Sequence, residues 1–207
     1  RSFSLIPGLP EAHAALGYYY YWGFLDYDRA LEQFDIARQS QPNNTELFAG
    51  IGYVQRRQGN MEEAAVNIKT AFELDPQSGR FASELGYTYL LMRDFLEAEN
   101  YFYVAISLRP DHVDQYGVQA YIYLAADGNT TRARNLFEET SSIANLTYDP
   151  YYVKNRFLLE LFDNNYLQIL DYLSTVPTDA VDFQLDYIPF SLMYAQVYGL
   201  LGESQLE

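Results

Sequence analysis

The chain has 207 residues, of which 49% are hydrophobic and 17% aromatic, with a formal net charge of −15 and no cysteine. The apolar content excludes a disordered chain, and the acidity argues against nucleic acid or an anionic membrane surface as the partner, because both carry negative charge. The absence of cysteine excludes disulfides and thiol chemistry but leaves the compartment open. Apolar runs are too short to span a bilayer, so no membrane insertion is expected.

A period of 34 residues organises the first two thirds of the chain. Prolines stand at positions 42, 76 and 110, and alanines at positions 30, 64 and 98, with a further alanine at 133. Small residues follow nearly the same spacing, at Gly17, Gly52, Gly86 and Ala120. Three independent series with one period predict an array of similar structural units.

Each unit is predicted to be a pair of amphipathic helices. The units follow one another over residues 10–42, 45–76, 79–110 and, with a looser match, 113–146. In the second unit, Phe48 and Gly52 lie on one face of the first helix, and Ala64 and Ile68 lie on one face of the second. Gly or Ala in the first helix is predicted to face Ala in the second, which allows the two helices to approach closely.

These units resemble the tetratricopeptide repeat. The residues at the motif positions of the second unit are Phe48, Ile51, Gly52, Gln55, Ala64, Ile68, Ala71 and Pro76. Those of the third unit are Ala82, Leu85, Gly86, Tyr89, Ala98, Phe102, Ala105 and Pro110. The resemblance implies an all-α fold, a right-handed superhelix of about five helix-turn-helix repeats.

The remainder of the chain is a degenerate version of the same pattern. Residues 149–177 look like another helix pair, but Phe157 and Ile169 stand where the other units have small residues, so this pair should splay or shift. Residues 186–207 resemble the first helix of a truncated further repeat, with Ala195 at the small position.

The start of the chain also resembles a truncated repeat. Residues 1–7 resemble the remnant of a preceding repeat, and the chain begins at Arg1 rather than at methionine. We therefore expect a fragment of a larger protein. Repeats bury their faces against neighbours, so the truncated ends should expose apolar surface and favour a homodimer.

Residues for catalysis or metal binding are sparse. The two histidines, His13 and His112, lack the partners that a metal or a nucleophile–base pair requires. The pair Glu62-Glu63 lies near the start of a second helix, where carboxylates complement the helix dipole. We expect no enzymatic activity, no cofactor and no metal.

The resemblance implies a concave groove lined by the first helices. One groove position is tyrosine in all four repeats, at Tyr18, Tyr53, Tyr87 and Tyr121. Two further positions add Tyr21, Trp22, Arg56, Arg57, Leu90 and Leu91. One interpretation is a peptide site in which the tyrosines supply contact area and the two arginines take a ligand carboxylate. The alternative is that the tyrosines stack along the superhelix and bind nothing.

The stretch GYYYYWG at residues 17–23 divides by helical register. Tyr18, Tyr21 and Trp22 are spaced i, i+3 and i+4, so they are predicted to share the face that points into the groove. Tyr20 is predicted to join the core of the repeat, and Gly23 to open the turn between the two helices.

The expected function is a non-catalytic scaffold that docks a peptide or helix of a partner protein in the groove. Segments such as EAHAALGYYYYWG resemble repeats of bacterial multidomain regulators, which implies a cytoplasmic setting in bacteria. Two alternatives stay open: a spacer or self-association module of a signalling protein, and a periplasmic or envelope module for polysaccharide or secretion machinery.

Overall fold

A computed structural model describes residues 8–112, 114–140, 150–176 and 190–202. These residues form helices and connecting turns, without a strand in the described ranges. The helices are α1 (Pro10–Tyr18), α2 (Tyr27–Ser40), α3 (Thr45–Gln58), α4 (Met61–Leu74), α5 (Gly79–Leu91), α6 (Phe95–Leu108), α7 (Asp114–Asp127), α8 (Thr130–Thr140), α9 (Pro150–Phe162), α10 (Tyr166–Thr175) and α11 (Phe190–Leu201). The predicted remnant at 1–7 and the repeat ends at 141–146 and 203–207 lie outside the described residues.

The chain divides into two compact units, unit 1 (Arg1–Leu108) and unit 2 (Arg109–Glu207). Unit 1 contains three helix pairs, α1 with α2, α3 with α4 and α5 with α6, and α2 and α4 also pack on the first helix of the pair that follows each of them. This is the packing that the 34-residue period predicts. None of the described helices is both long and apolar enough to cross a membrane.

Short polar residues start the helices of unit 1. The Asn44 side chain accepts a hydrogen bond from the Glu46 amide at 3.0 Å, and the Asp26 side chain accepts one from the Arg29 amide at 3.2 Å. Such caps satisfy amides that have no partner within the helix. Gly59 ends α3 with φ of 87°, a conformation that glycine adopts without steric cost.

The helices of each pair in unit 1 come close together at a glycine. A Cβ atom placed on Gly52 would lie 2.6 Å from Ile68 Cγ1 and 3.1 Å from the Ala64 carbonyl oxygen. The equivalent distance is 2.6 Å at Gly17, to Phe34 Cε1. At Gly52 the predicted alanine partner, Ala64, does lie against the glycine, and the nearest side chain at each glycine is a large residue of the second helix, Ile68 or Phe34.

Unit 2 has a small apolar core of its own between α9, α10 and α11. Phe157, Ile169 and Val197 are fully buried there, with Leu173 beside them. Phe157 and Ile169, which stand at the glycine and alanine positions of the repeats, are thus buried in the same core. Whether the pair is splayed relative to the other repeats stays a prediction.

Unit 2 also contains a buried ion-pair network centred on Glu160, whose side chain is 1% exposed. Arg134 of α8 donates to both carboxylate oxygens, at 3.0 and 3.1 Å, and also to Asp163 at 2.5 Å. Asn165 donates at 3.0 Å, and Arg156 at 3.2 Å. Burial works against ionisation of Glu160, but the bonds from Arg134 and Asn165 outweigh it and hold the pKa of this carboxyl below its usual value.

Candidate functional site

The first helix of unit 1 changes geometry after α1. Residues Tyr19–Phe24 form a π-helix, and Leu25 ends it in the left-handed region with φ of 53°. The wider turn of a π-helix shifts the side chains relative to the 100° per residue of an α-helix. The turn to α2 therefore begins at Leu25, and Gly23 lies within the helix instead of opening the turn as predicted.

This π-helix corrects the predicted position of Tyr21. Its side chain is 3% exposed and packs in the core of unit 1, rather than facing outward beside Tyr18 and Trp22. Trp22 is 66% exposed, and its ring lies 4.5 Å from the Tyr21 ring, centroid to centroid. Tyr20 is partly buried against the core, as predicted.

Tyr18 links α1 to α3. Its hydroxyl donates a hydrogen bond to the Glu46 carbonyl oxygen at 2.9 Å, and its ring stands edge-on to Phe34 with 4.9 Å between centroids. Burial, reinforced by the nearby Glu46 carboxylate, raises the pKa of Tyr18 to about 12. The hydroxyl is therefore a structural hydrogen-bond donor within unit 1.

Tyr53 and Arg80 link α3 to α5. Tyr53 is 9% exposed, and Arg80 donates to its hydroxyl at 3.3 Å. Arg80 also forms an ion pair with the carboxylate of Glu46. Burial raises the pKa of Tyr53 above its ordinary value, and the Glu84 carboxylate adds to the effect.

Arg56 already has a carboxylate partner within the chain. It donates to the Glu84 carboxylate at 2.7 Å, and to the Glu84 carbonyl oxygen and the Thr88 hydroxyl at 3.2 Å. Its guanidinium lies over the Tyr53 ring, 5.4 Å from the centroid. Of the two arginines predicted to take a ligand carboxylate, Arg56 is thus engaged in holding α3 to α5.

Arg57 is exposed and has a different environment. Interaction with the Tyr21 side chain, as the main cause, raises the pKa of Arg57 above its usual value. No carboxylate of the described residues lies within ion-pair distance of Arg57.

On α5, the residues predicted to line the groove are Tyr87, Leu90 and Leu91. Tyr87 is half-buried and edge-on to Phe102 at 4.9 Å, Leu90 is half-buried, and Leu91 is 59% exposed. Tyr121 is exposed on α7, in unit 2. We call the residues on α1, the π-helix, α3 and α5 the first-helix face of unit 1: Tyr18, Trp22, Glu46, Tyr53, Arg56, Arg57, Arg80, Glu84, Tyr87, Leu90 and Leu91.

Three residues of this face were not predicted from the sequence, namely Glu46, Arg80 and Glu84. A signal for the first two was present, since Glu46 and Arg80 have opposite charges and stand 34 residues apart, at the same place in successive repeats. The described part of the chain holds no group of three His, Asp or Glu side chains that could bind a metal ion.

Two of the predicted repeats match a known sequence family. The sequence profile of the tetratricopeptide repeat matches residues 45–78 and 80–112. No curated protein sequence matches significantly.

Solved structures with the same fold include three proteins of low sequence identity to this chain. A tetratricopeptide repeat protein of Parabacteroides merdae has a TM-score of 0.74 at 16% identity, over 95% of this chain and 75% of that one. A MamA protein has a TM-score of 0.67 at 18% identity, over 82% and 90%. A thermophilic repeat protein of Thermus thermophilus has a TM-score of 0.64 at 19% identity, over 93% and 99%.

The two profile matches identify residues 45–78 and 80–112 as tetratricopeptide repeats, and the structural likeness shows that the chain has the fold of tetratricopeptide repeat proteins. The predicted fold class, the all-α tetratricopeptide superhelix, is confirmed. Proteins of this family are generally interaction scaffolds without catalytic activity.

Proposed function

We propose that the chain is a scaffold that binds a peptide or helix of a partner protein on the first-helix face of unit 1. One observation carries the proposal. Hydrogen bonds and ion pairs fix this face from α1 through α3 to α5, yet they leave Trp22, Arg57 and Leu91 exposed on it.

The fixed part of the face is a continuous chain of polar contacts. Tyr18 bonds to Glu46, Glu46 pairs with Arg80, Arg80 bonds to Tyr53, and Tyr53 lies under Arg56. Because these side chains are already ordered, a ligand that lies across them does not have to order them at an entropic cost. The arrangement therefore suits binding better than a set of mobile side chains would.

The exposed part of the face has the composition of a binding hot spot. Tryptophan, tyrosine and arginine are the residues most enriched among those that dominate binding energy at protein interfaces. On this face an exposed tryptophan, an exposed arginine and a half-buried tyrosine occur on consecutive first helices. The interpretation that the tyrosines bind nothing predicts no ligand here.

The proposal can be tested with peptides selected from a phage-displayed library of random dodecapeptides, panned on the full chain and resynthesised with capped termini. We expect Leu91→Ser to weaken binding of the selected peptides about tenfold, because it removes exposed apolar contact area from the face. Isothermal titration calorimetry gives the affinities. Leu96→Ser is the matched control, since Leu96 is 69% exposed on the second helix α6.

Equal losses for the two variants, or none for Leu91→Ser and for Trp22→Ala, would place the peptides elsewhere and contradict the proposal. If no peptide is enriched and light scattering shows concentration-dependent self-association, a self-association module becomes the better account.

A further inference from the structure

We infer that two copies of this chain pair in solution through an exposed cluster of aromatic rings at the start of unit 1. We call this cluster, formed by Tyr19, Tyr20 and Phe24, the aromatic end patch. The partner of the patch is the same patch of a second copy. The pairing goes beyond the proposed function, because it does not involve the residues that are proposed to bind a peptide.

Direct ring contacts form the patch. The Tyr19 ring lies 4.9 Å from that of Phe24 and 5.9 Å from that of Tyr20, and the Tyr20 and Phe24 rings are 6.3 Å apart, all between centroids. Tyr19 and Phe24 are 56% and 60% exposed, and Leu25, next in the chain, is 64% exposed. The π-helix brings Tyr19 and Phe24 together, because residues i and i+5 come close in it, whereas an α-helix separates them around its axis.

The corresponding side of the other first helices in unit 1 is covered by a helix. Tyr19 lies two residues after the close-contact glycine of its repeat, and Val54 and Thr88 hold the same place in the next two repeats. Both are fully buried, in α3 and α5, onto which α2 and α4 of the preceding repeats pack. Tyr19 is more than half exposed within the part of the chain that the structure describes. A helix of another molecule can therefore take the place that α2 and α4 take on α3 and α5.

Charge favours a second copy as the partner of the patch. Residues 12–25 contain no Asp, Glu, Lys or Arg, in a chain whose formal net charge is −15. At the edge of the patch, Arg29 lies over the Tyr20 ring, 5.6 Å from its centroid, and pairs with Asp26 at 3.3 Å. Two acidic copies repel each other, and they approach with the least repulsion where an uncharged patch faces itself.

The size of the patch predicts a weak dimer. An aromatic side chain has roughly 150–250 Å² of surface, and the exposed parts of Tyr19, Phe24 and Leu25 add up to about 350 Å² in each copy. Pairing therefore buries about 700 Å² and the edge around it, which is less than the roughly 1,200 Å² of a stable complex. We expect a dissociation constant on the order of 100 μM.

Residues 1–7 are the other candidate for covering the patch, and their spacing disfavours them. Four residues separate a second helix from the following first helix in unit 1, at 41–44 and at 75–78. By that spacing, a helix before α1 would end beside Pro10, and Tyr19 lies about 13 Å further along the axis. Residues 1–5 in helical form would span only about 7 Å, so they would not reach Tyr19.

Analytical ultracentrifugation of the full chain, at concentrations below and above the expected dissociation constant, tests the pairing. We expect a monomer–dimer equilibrium. Tyr19→Ser and Phe24→Ser should each weaken the dimer at least about tenfold, because a symmetric contact loses the substituted ring on both sides. Tyr103→Ser is the matched control, since Tyr103 is 69% exposed on the second helix α6, and it should leave the dimer unchanged. Circular dichroism checks that each variant is folded.

Salt and NMR give independent readouts of the same contact. Added salt should strengthen the dimer, because it screens the repulsion between two acidic chains and leaves an apolar contact intact. Amide signals of the labelled chain should shift with protein concentration at Tyr19, Tyr20 and Phe24, and stay constant at Tyr103. Rings that served folding alone would produce neither effect.

Three results would overturn the inference. The first is a chain that stays monomeric at every concentration, including the case in which Phe3→Ser together with Leu5→Ser makes it dimerise, because residues 1–7 then cover the patch. The second is a dimer that the control variant weakens as much as Tyr19→Ser does. The third is growth beyond the dimer, which indicates contact between two different surfaces. None of these results affects the proposed function, which the peptides and Leu91→Ser test separately.

Discussion

Arg134→Ala is expected to lower the free energy of unfolding of unit 2 by about 3 kcal/mol, because it leaves a buried carboxylate short of its main partner. Glu160 is 1% exposed, and Arg134 bonds to both of its oxygens. Arg156 and Asn165 remain in contact with the carboxylate, so the loss stays at the lower end of the range for broken buried pairs. Chemical denaturation followed by circular dichroism measures the change.

The loss should depend on pH in a defined direction. The pKa of Glu160 is held below its ordinary value in the folded chain, so its contribution is present at neutral pH and disappears as the pH falls through that lowered pKa. The curves of the original chain and of Arg134→Ala should therefore converge in acid. Adding Glu160→Gln to Arg134→Ala should recover part of the loss at neutral pH, because it removes the uncompensated charge.

An exposed ion pair provides the control for this prediction. Arg38 and Asp35 pair at 2.8 Å on the surface of α2. Exposed pairs contribute between about 0 and 1 kcal/mol, so Arg38→Ala should have a small effect. A loss from Arg134→Ala no larger than that of Arg38→Ala would show that the network does not stabilise unit 2.

Gly52→Leu is expected to destabilise unit 1 by at least about 3 kcal/mol, because α3 and α4 leave no room for a side chain there. A Cβ atom alone would approach Ile68 Cγ1 to 2.6 Å and the Ala64 carbonyl oxygen to 3.1 Å. The oxygen belongs to the backbone of α4, so the two helices would have to separate. This loss exceeds the gain of about 1 kcal/mol that leucine has over glycine in a helix.

Gly199 of α11 is the matched control, because no atom of the described part of the chain lies within 4 Å of a Cβ placed on it. There the same change to leucine should be neutral or stabilising, since only the helix propensity changes. Thermal unfolding of both variants gives the comparison. Similar midpoints for the two would mean that Gly52 is not a close-contact position and that the assigned repeat register is wrong.

The fold could be predicted from the sequence because the small residues that allow the helices to pack closely recur at a regular spacing. Each close contact between helices needs a small residue, and these residues recur at Gly17, Gly52 and Gly86 with the period of the structure. Their partners were harder to predict. Phe34 and Ile68 supply the nearest side-chain atoms to Gly17 and Gly52, since a missing side chain leaves room for a neighbour's larger one.

The candidate site was predicted only in part, for two physical reasons. Side-chain positions around Tyr21 depend on a π-helix, and no residue of Tyr19–Phe24 marks in sequence where hydrogen bonds widen from i+4 to i+5. The role of Arg56 depends on Glu84, which is 28 residues away and so does not stand at the equivalent position of the next repeat. The 34-residue period predicts where the backbone of each repeat lies, but it does not predict which side chains of neighbouring repeats form ion pairs.

The repeat boundaries, the fragment hypothesis and dimer formation stay predictions. Several large apolar side chains are exposed at the start of unit 1, among them Tyr19, Phe24 and Leu25, which is compatible with contacts beyond this part of the chain. These residues lie on or beside the π-helix that also exposes Trp22. Self-association and ligand binding therefore have to be tested with separate variants, one set at Tyr19, Phe24 and Leu25 and the other at Trp22.

The most direct test of the central claim is an amide NMR titration of the labelled chain with the tightest selected peptide. We expect the perturbed signals to concentrate in the π-helix, α3 and α5, above all at Trp22, Arg57 and Leu91. Perturbations confined to the second helices α2, α4 and α6, or to unit 2, would contradict the claim that the first-helix face of unit 1 is where this protein binds its partner.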